Sequence, residues 1–323
     1  MLREEILSRL EKRRGETVSG GELARELGVS RTAVWKAVSG LREQGFQIDA
    51  VPSGGYLLRA DCDVLSVPAV AAHLTTRALG RELSILPIVS STNNYLKERA
   101  LEGAPHGAAV LAEEQSGGRG RMGRSFCSPK GAGMYLSVLL RPQIPLAEIT
   151  QLTVAAAVAV SQAVEELGGS PSIKWVNDVY LGKKKLCGIL TEAAIEGESG
   201  GVQFLVCGIG VNVHSLRNCP DEVTAVATSL EDSGLHTLRA PLAASVLNHL
   251  EQLYGLLLEG RPDKLLELYK SRLNMLGKTV TVIERDRRWE GRALDLDDHA
   301  GLIVEQPDGT RRTLSSGEIS IRF

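Results

Sequence analysis

Between Glu113 and Arg124 the chain reads EEQSGGRGRMGR, with Arg119, Arg121 and Arg124 set among Gly117, Gly118, Gly120 and Gly123. Arginine forks take phosphate or carboxylate oxygens bidentately, and glycine lets backbone N–H groups approach the same oxygens. The stretch is not a Walker loop, because G-x-x-x-x-G-K-[ST] does not occur. Two readings are open. A nucleic-acid-binding RGG segment is usually repeated and flanked by disorder, whereas a loop that orders on a small anion needs only one copy. The single copy here runs straight into the apolar GMYLSVLL, which favours the second reading.

Other chemistry-bearing residues stand at strand ends. KWVND offers Lys174 to a phosphate and Asp178 to Mg2+, with Asn177 between them, although a turn Asn-Asp is more often solvated. Lys185 immediately precedes the apolar LCGIL, where its ammonium reaches inward, while Lys183 and Lys184 read as solvated charge. GIGVN brings Gly208, Gly210 and Asn212 together, as a nucleotide contact or simply a tight bend. Ser91, Thr92 and Asn93 in SSTNN are most simply the N-cap of a helix.

These groups must be positioned by elements that the patterning predicts. In residues 1–60, Leu2, Ile6, Leu7 and Leu10 recur at helical spacing, GGELARELG makes a short second helix, and Ser30 caps a third, RTAVWKAVSGLREQG. Two short helices joined through Gly28 and Val29, followed by the strand pair FQIDAV and YLLR around PSGG, read as a winged helix-turn-helix. Ser30, Arg31, Thr32, Trp35 and Lys36 would then face DNA, with Trp35 either a reader or packed under the wing. A three-helix protein-interaction module is the alternative. Charge points weakly toward DNA, with 10 Lys+Arg against 8 Asp+Glu in residues 1–60.

After a linker near RADCDVLSVP, strands (LSILPIVSS, AAVLAEEQ, GMYLSVLLRP, VQFLVCGIGVNV) mix with helices (TNNYLKERALEG, LTVAAAVAVSQAVEELGG), and SIKWVNDVYLGKKKLCGILTEAAI reads as a hairpin. Two helices follow in 240–275, and from Leu276 short strands with turns at Asp297-Asp298 and Asp308-Gly309 suit a small β-barrel. The class is therefore α+β and multidomain, as 323 residues require. A net charge of -2 excludes a polyanion-coating surface, so nucleic-acid contact must be local. Five cysteines without a C-x-x-C read as unpaired thiols of a reduced cytoplasm, and no stretch has the apolar length of a membrane span.

Taken in order, S-T-N, E-x-Q-x-x-G-R-G-R-x-G-R, S-P-x-G-x-G-x-Y-x-S, K-W-x-N-D, K-x-x-G-I-L and G-I-G-V-N resemble the biotin–protein ligases over about the whole chain. The winged helix and terminal barrel match the bifunctional kind that is also the biotin operon repressor. The resemblance implies a winged helix over 1–62, a biotin/lipoate-ligase-like catalytic domain with a mixed sheet over 66–275, and an SH3-like barrel over 276–323. It further implies ATP-dependent formation of biotinyl-5′-AMP and transfer of biotin to a lysine of the biotin carboxyl carrier protein of acetyl-CoA carboxylase. The implied partners also include operator DNA and, with adenylate bound, a second copy of the chain, but no membrane.

Biotin contacts carry over to Ser91, Thr92, Asn93, Gln115, Gly118, Arg119, Gly120, Arg121, Lys185, Gly188, Gly208 and Gly210. ATP contacts carry over to Arg121, Arg124, Phe126, Lys174, Asn177, Asp178 and Asn212, with Mg2+ at Asp178 and catalysis by Lys185 and Arg121. Many members have arginine at Met122, tryptophan at Phe126 and proline at Val176; the Phe126 ring can still stack on adenine. A lipoate-type ligase and a non-enzymatic biotin sensor are the competing readings.

Overall fold

A serine before an apolar-periodic run is enough to start a helix, and Ser30 does so: its hydroxyl accepts from Ala33 N, opening α3 (Arg31–Glu43). The computed structural model describes residues 2–52, 54–142, 148–195, 201–284, 287–315 and 318–321. Two compact units comprise residues 1–75 with 238–244, and residues 76–237 with 245–323.

In the first unit α1 (Leu2–Lys12), α2 (Gly20–Glu26) and α3 bury Ile6, Leu10, Leu23, Val34 and Leu41 against one another. Each such side chain contributes about 1.5–3 kcal/mol. The turn between α2 and α3 passes through Gly28 at φ +65°, a left-handed position suited to glycine. The wing is β2 (Ile48–Val51) paired antiparallel with β3 (Gly55–Leu58); Ser53 of the expected PSGG turn lies outside the described residues. Patterning did not show the two-residue β1 (Thr17–Val18), which joins β3 on its other side. Just before α4 (Val67–Ala71), Asp63 fixes the buried Arg239, accepting from its backbone N–H and from Nε at 2.7 Å each.

The second unit is built on a seven-stranded mixed sheet in the order β4-β5-β6-β10-β9-β8-β7. Its strands are β4 (Leu83–Leu86), β5 (Ala109–Ala112), β6 (Gly133–Leu140), β7 (Pro171–Lys174), β8 (Asp178–Leu181), β9 (Lys184–Ile195) and β10 (Val202–Asn212). Only β4 and β5 pair in parallel. The expected hairpin over 172–195 is thus a three-strand meander, because KWVND makes a turn of its own before Gly182 makes the second.

Period-two alternation sorts the central strands. One face carries Ser137 on β6, Gly208 and Gly210 on β10, and Gly188 and Leu190 opposite them on β9. Helix α5 (Thr92–Leu101) packs on this face through Leu96 and Ala100 against Leu139 and Val206. The other face receives the apolar α6 (Ile149–Glu166), whose Thr153 hydroxyl donates to Thr191 on β9 at 2.8 Å.

Helices α7 (Asp221–Val226), α8 (Arg239–Leu258) and α9 (Pro262–Lys270) follow. The terminal strands β11 (Thr279–Glu284), β12 (Arg287–Leu296), β13 (Leu302–Glu305), β14 (Arg311–Leu314) and β15 (Glu318–Ile321) form an antiparallel sheet in the order β14-β13-β12-β11-β15. Its 297–301 turn supports the larger sheet: Trp175 Nε1 donates to Ala300 O at 2.8 Å, and Gln151 Nε2 to Asp298 O at 3.1 Å.

Candidate active site

The K-x-x-G spacing in KKKLCGIL, where Lys185 and Gly188 are three residues apart, should put the two on opposite faces of a strand. A register shift between Val179 and Tyr180 cancels the odd spacing: Asp178 pairs with Gly188, and Tyr180 pairs with Lys185. The bulge therefore turns Lys185 onto the glycine face. Its ammonium lies 2.8 Å from Asp178 Oδ1, an ion contact on an otherwise unpartnered, buried carboxylate oxygen. Its backbone is held from outside the sheet, where Lys185 O accepts from Thr228 N at 2.9 Å.

Glycines are needed beneath it for want of room. A Cβ on Gly208 would overlap Asn93 Oδ1, one on Gly210 would stand 2.6 Å from Phe126 Cε1, and one on Gly188 would stand 3.1 Å from Lys185 Nζ. The glycine–arginine loop folds back as a narrow turn, with Gly120 N donating to Arg124 O at 2.7 Å and Met122 in the left-handed region at φ +55°. Arg121 Nη1 donates to Asn177 Oδ1 at 2.9 Å, while Asn177 Nδ2 donates to Ile189 O at 2.9 Å. Asn177 thus couples the loop to β9 at Ile189, four residues past Lys185.

Two cavities result. Ser91, Thr92, Asn93 and Gln115 line the first, with the three glycines as its floor and Arg119 to Arg121 at its mouth. Ser91 sits at the N-terminus of α5, but its side chain makes no capping bond, contrary to the simple N-cap reading. Instead Thr92 Oγ1 donates to Gln115 Oε1 at 3.0 Å, and Gln115 Nε2 to Ser128 Oγ at 3.0 Å. Arg124, Lys174 and Asp178 line the second cavity with Trp175 and, from the terminal sheet, Ile319. Arg121, Phe126, Asn177 and Lys185 line both.

Residues 2–57 match the HTH domain, residues 85–212 the Biotin/lipoate A/B protein ligase family and residues 275–322 the Biotin protein ligase C terminal domain. The chain is 36% identical over 320 residues, 98% of its own length and 97% of the other's, to the bifunctional ligase/repressor BirA of Bacillus subtilis. It belongs to the bifunctional ligase/repressor family. Identity to the BirA of Escherichia coli is 32% over 309 residues, covering 95% and 94% of the two chains. A biotin protein ligase from Aquifex aeolicus, solved in complex with biotin and ATP, superimposes with a TM-score of 0.65 at 31% identity, covering 75% of this chain and 99% of that one.

Of the residues singled out in the sequence, Gly118 and Asn212 line neither cavity. Gly118 is packed against Phe126 O, and Asn212 is buried, donating to Thr228 O at 2.9 Å. Trp35 is 57% exposed, so packing under the wing is excluded; Ser30, Arg31, Thr32 and Lys36 are exposed beside it. The expectation of unpaired cysteines is corrected at one pair: Cys127, next to Phe126, is bonded to Cys219, 92 residues on, with Cα atoms 6.4 Å apart. No spacing signal announces a pair so far apart. Cys62, Cys187 and Cys207 are free and buried, and burial pushes the Cys207 thiol up to about 11. Sequence reasoning also missed Glu192, Asn94 and Trp175. Continuing the period-two face from Gly188 through Leu190 would have reached Glu192.

Proposed function

We propose that the chain activates biotin with ATP and passes it to a carrier-protein lysine, and that with the adenylate bound it represses transcription through its winged helix. The observation that carries this reading is the shared wall of the two cavities. Biotin in the first and ATP in the second would bring a carboxylate and an α-phosphate together at Arg121, Asn177 and Lys185. A carboxylate oxygen bonds to the α-phosphorus and the bond to pyrophosphate breaks. A neutral lysine amine of the carrier then bonds to the acyl carbon, AMP leaves with the electron pair, and the amine sheds a proton.

Both steps gather negative charge between Lys185 and Arg121, where fixed cations in a partly enclosed site stabilise it. Lys185 reaches the acyl phosphate by leaving Asp178, and Arg121 stays oriented by Asn177. The loop excludes water from the mixed anhydride. Asp178 fits Mg2+: its Oδ1 is buried beside a single ammonium, and no cluster of three His, Cys, Asp or Glu stands around it among the described residues, so phosphate oxygens would complete the shell. Bound there, Mg2+ would screen the phosphates and ease departure of pyrophosphate.

The carrier is that of acetyl-CoA carboxylase, the DNA is an operator of biotin genes read by Arg31, Thr32, Trp35 and Lys36, and the repressing form is a homodimer in the cytoplasm. No helix among the described residues is long and apolar enough to cross a membrane. Mass spectrometry of a carrier domain incubated with the protein, biotin and MgATP tests the reading. One biotinyl group on one lysine is expected. Absence of that mass, or an equal yield with lipoate, would overturn it.

A further inference from the structure

We propose that Glu192 is the latch of the glycine–arginine loop: its carboxylate holds Arg119, and through it residues 117–124, against the pocket wall. Glu192 lines neither cavity, so it is a positioning residue for a reaction it does not touch. The inference rests on the ligase reading for its catalytic consequence but not for the latch itself.

Glu192 lies on β9 four residues past Gly188, on the glycine face, and its carboxylate gathers three donors. Oε2 accepts from Asn93 Nδ2 at 2.9 Å; Oε1 accepts from Lys97 Nζ at 3.0 Å and stands 3.4 Å from Arg119 Nη2. Burial pushes the Glu192 carboxyl up, but the bonds from Asn93 and Lys97 and the charges of Lys97 and Arg119 outweigh it, so the group sits below its usual range and stays ionised. The other hand of Arg119 donates from Nη1 to Asn94 Oδ1 at 2.9 Å. An arginine whose side chain is 46% exposed is thus drawn from the loop onto the corner of α5 and β9.

The same carboxylate sets the Asn93 amide. With Nδ2 committed to Glu192 and Leu190 O, Asn93 Oδ1 must face Ser137 Oγ, 2.6 Å away, and the floor at Gly208. Ser137 Oγ is also 2.8 Å from Thr92 Oγ1, which leads on through Gln115 to Ser128 at the loop's exit. One side chain therefore holds the loop at its start and, through the amide network, at its end.

Lys97 and Arg119 share Oε1, so they compete, and that gives the latch a test with opposite signs. Trypsin cleavage after Arg119, Arg121 and Arg124 reports loop opening in the free protein. Glu192→Gln keeps an acceptor for Asn93 but removes the charge, and should speed this cleavage about 1.5- to 5-fold, the range for a partly exposed ion pair. Lys97→Met should leave the loop at least as protected as in the unaltered chain. In an Arg119→Gln background, Glu192→Gln should add nothing to cleavage after Arg121 and Arg124. An unchanged rate in Glu192→Gln, or equal opening in Lys97→Met, would overturn the latch. In a second arm, biotinyl-adenylate should dissociate from Glu192→Gln faster by a similar factor at unchanged melting temperature. If the unaltered protein retained no adenylate the ligase reading would fall, while the protease arm would still decide the latch.

Discussion

Replacing Lys185 by alanine separates chemistry from folding, and the structure sets both magnitudes. The Lys185–Asp178 contact spans 2.8 Å, with side-chain exposures of 32% and 19%. Solvent reaching the Lys185 side of this partly exposed pair holds its worth to about 0.2–1 kcal/mol. Asp178 would not be stranded by the loss, because it lines the second cavity and water can replace the ammonium there. At about 2–4 °C per kcal/mol for a unit of this size, the melting temperature should fall by no more than ~4 °C. The chemical loss is larger, because a fixed donor facing a developing oxyanion is worth about 2.7–4 kcal/mol, or 100- to 1,000-fold in rate. Pyrophosphate release at saturating biotin and MgATP, with differential scanning fluorimetry on the same sample, measures both. Turnover within about threefold of the unaltered protein would remove Lys185 from the mechanism, and a melting temperature lower by more than ~10 °C would make it a structural residue.

Arg121→Gly cuts the loop's bond to Asn177 and should let adenylate escape, so biotin should accumulate on a bystander protein such as serum albumin faster than with the unaltered chain. Gly210→Ala places a methyl 2.6 Å from the Phe126 ring, and the overpacking should cost about 1–3 kcal/mol by thermal denaturation, most of it recovered when Phe126→Ala is added. A non-hydrolysable adenylate analogue should shift sedimentation toward a dimer and tighten operator binding by a coupling of about 1–3 kcal/mol in fluorescence anisotropy; identical values with and without it would sever the regulatory link.

How much of this was legible beforehand depends on the range of the interaction. Ser30 and Gly28 act within one turn of their own backbone, so the helix-turn-helix could be read from residue types alone. The cluster of Arg121, Asn177 and Lys185 was legible through motif order, since nothing local says that residues 56 positions apart, such as Arg121 and Asn177, will meet. The inward reach of Lys185 was legible from the apolar run after it, but the bulge that turns it onto the glycine face is invisible to alternation because it reverses the parity. Glu192 was missed for the converse reason: parity pointed to it, but a lone glutamate on a strand reads as solvated until Asn93, Lys97 and Arg119 are seen around it. Asn212 has a motif position, and its amide donates to Thr228 O, a partner 16 residues on that no local pattern names.

The indole of Trp175 donates to Ala300, and Ile319 on β15 lines the second cavity. On the ribosome this places a delay inside the gene. About 140 residues separate Asn177 from Ile319, so at roughly 5–20 residues per second some 7–30 s pass between synthesis of the KWVND turn and of the strand that walls it in. Throughout that interval the nascent chain holds arginines and a lysine suited to forming a reactive anhydride, beside ribosomal proteins rich in acceptor amines. With the far sheet part of the wall, the second cavity is incomplete until β15 is made. Stalled chains ending before β15 are therefore expected to release no pyrophosphate from biotin and ATP, and release from such chains at the full-length rate would show that the wall is dispensable. If they release none, the timing of translation is itself a safeguard against stray acylation, acting before any loop has a ligand to close upon.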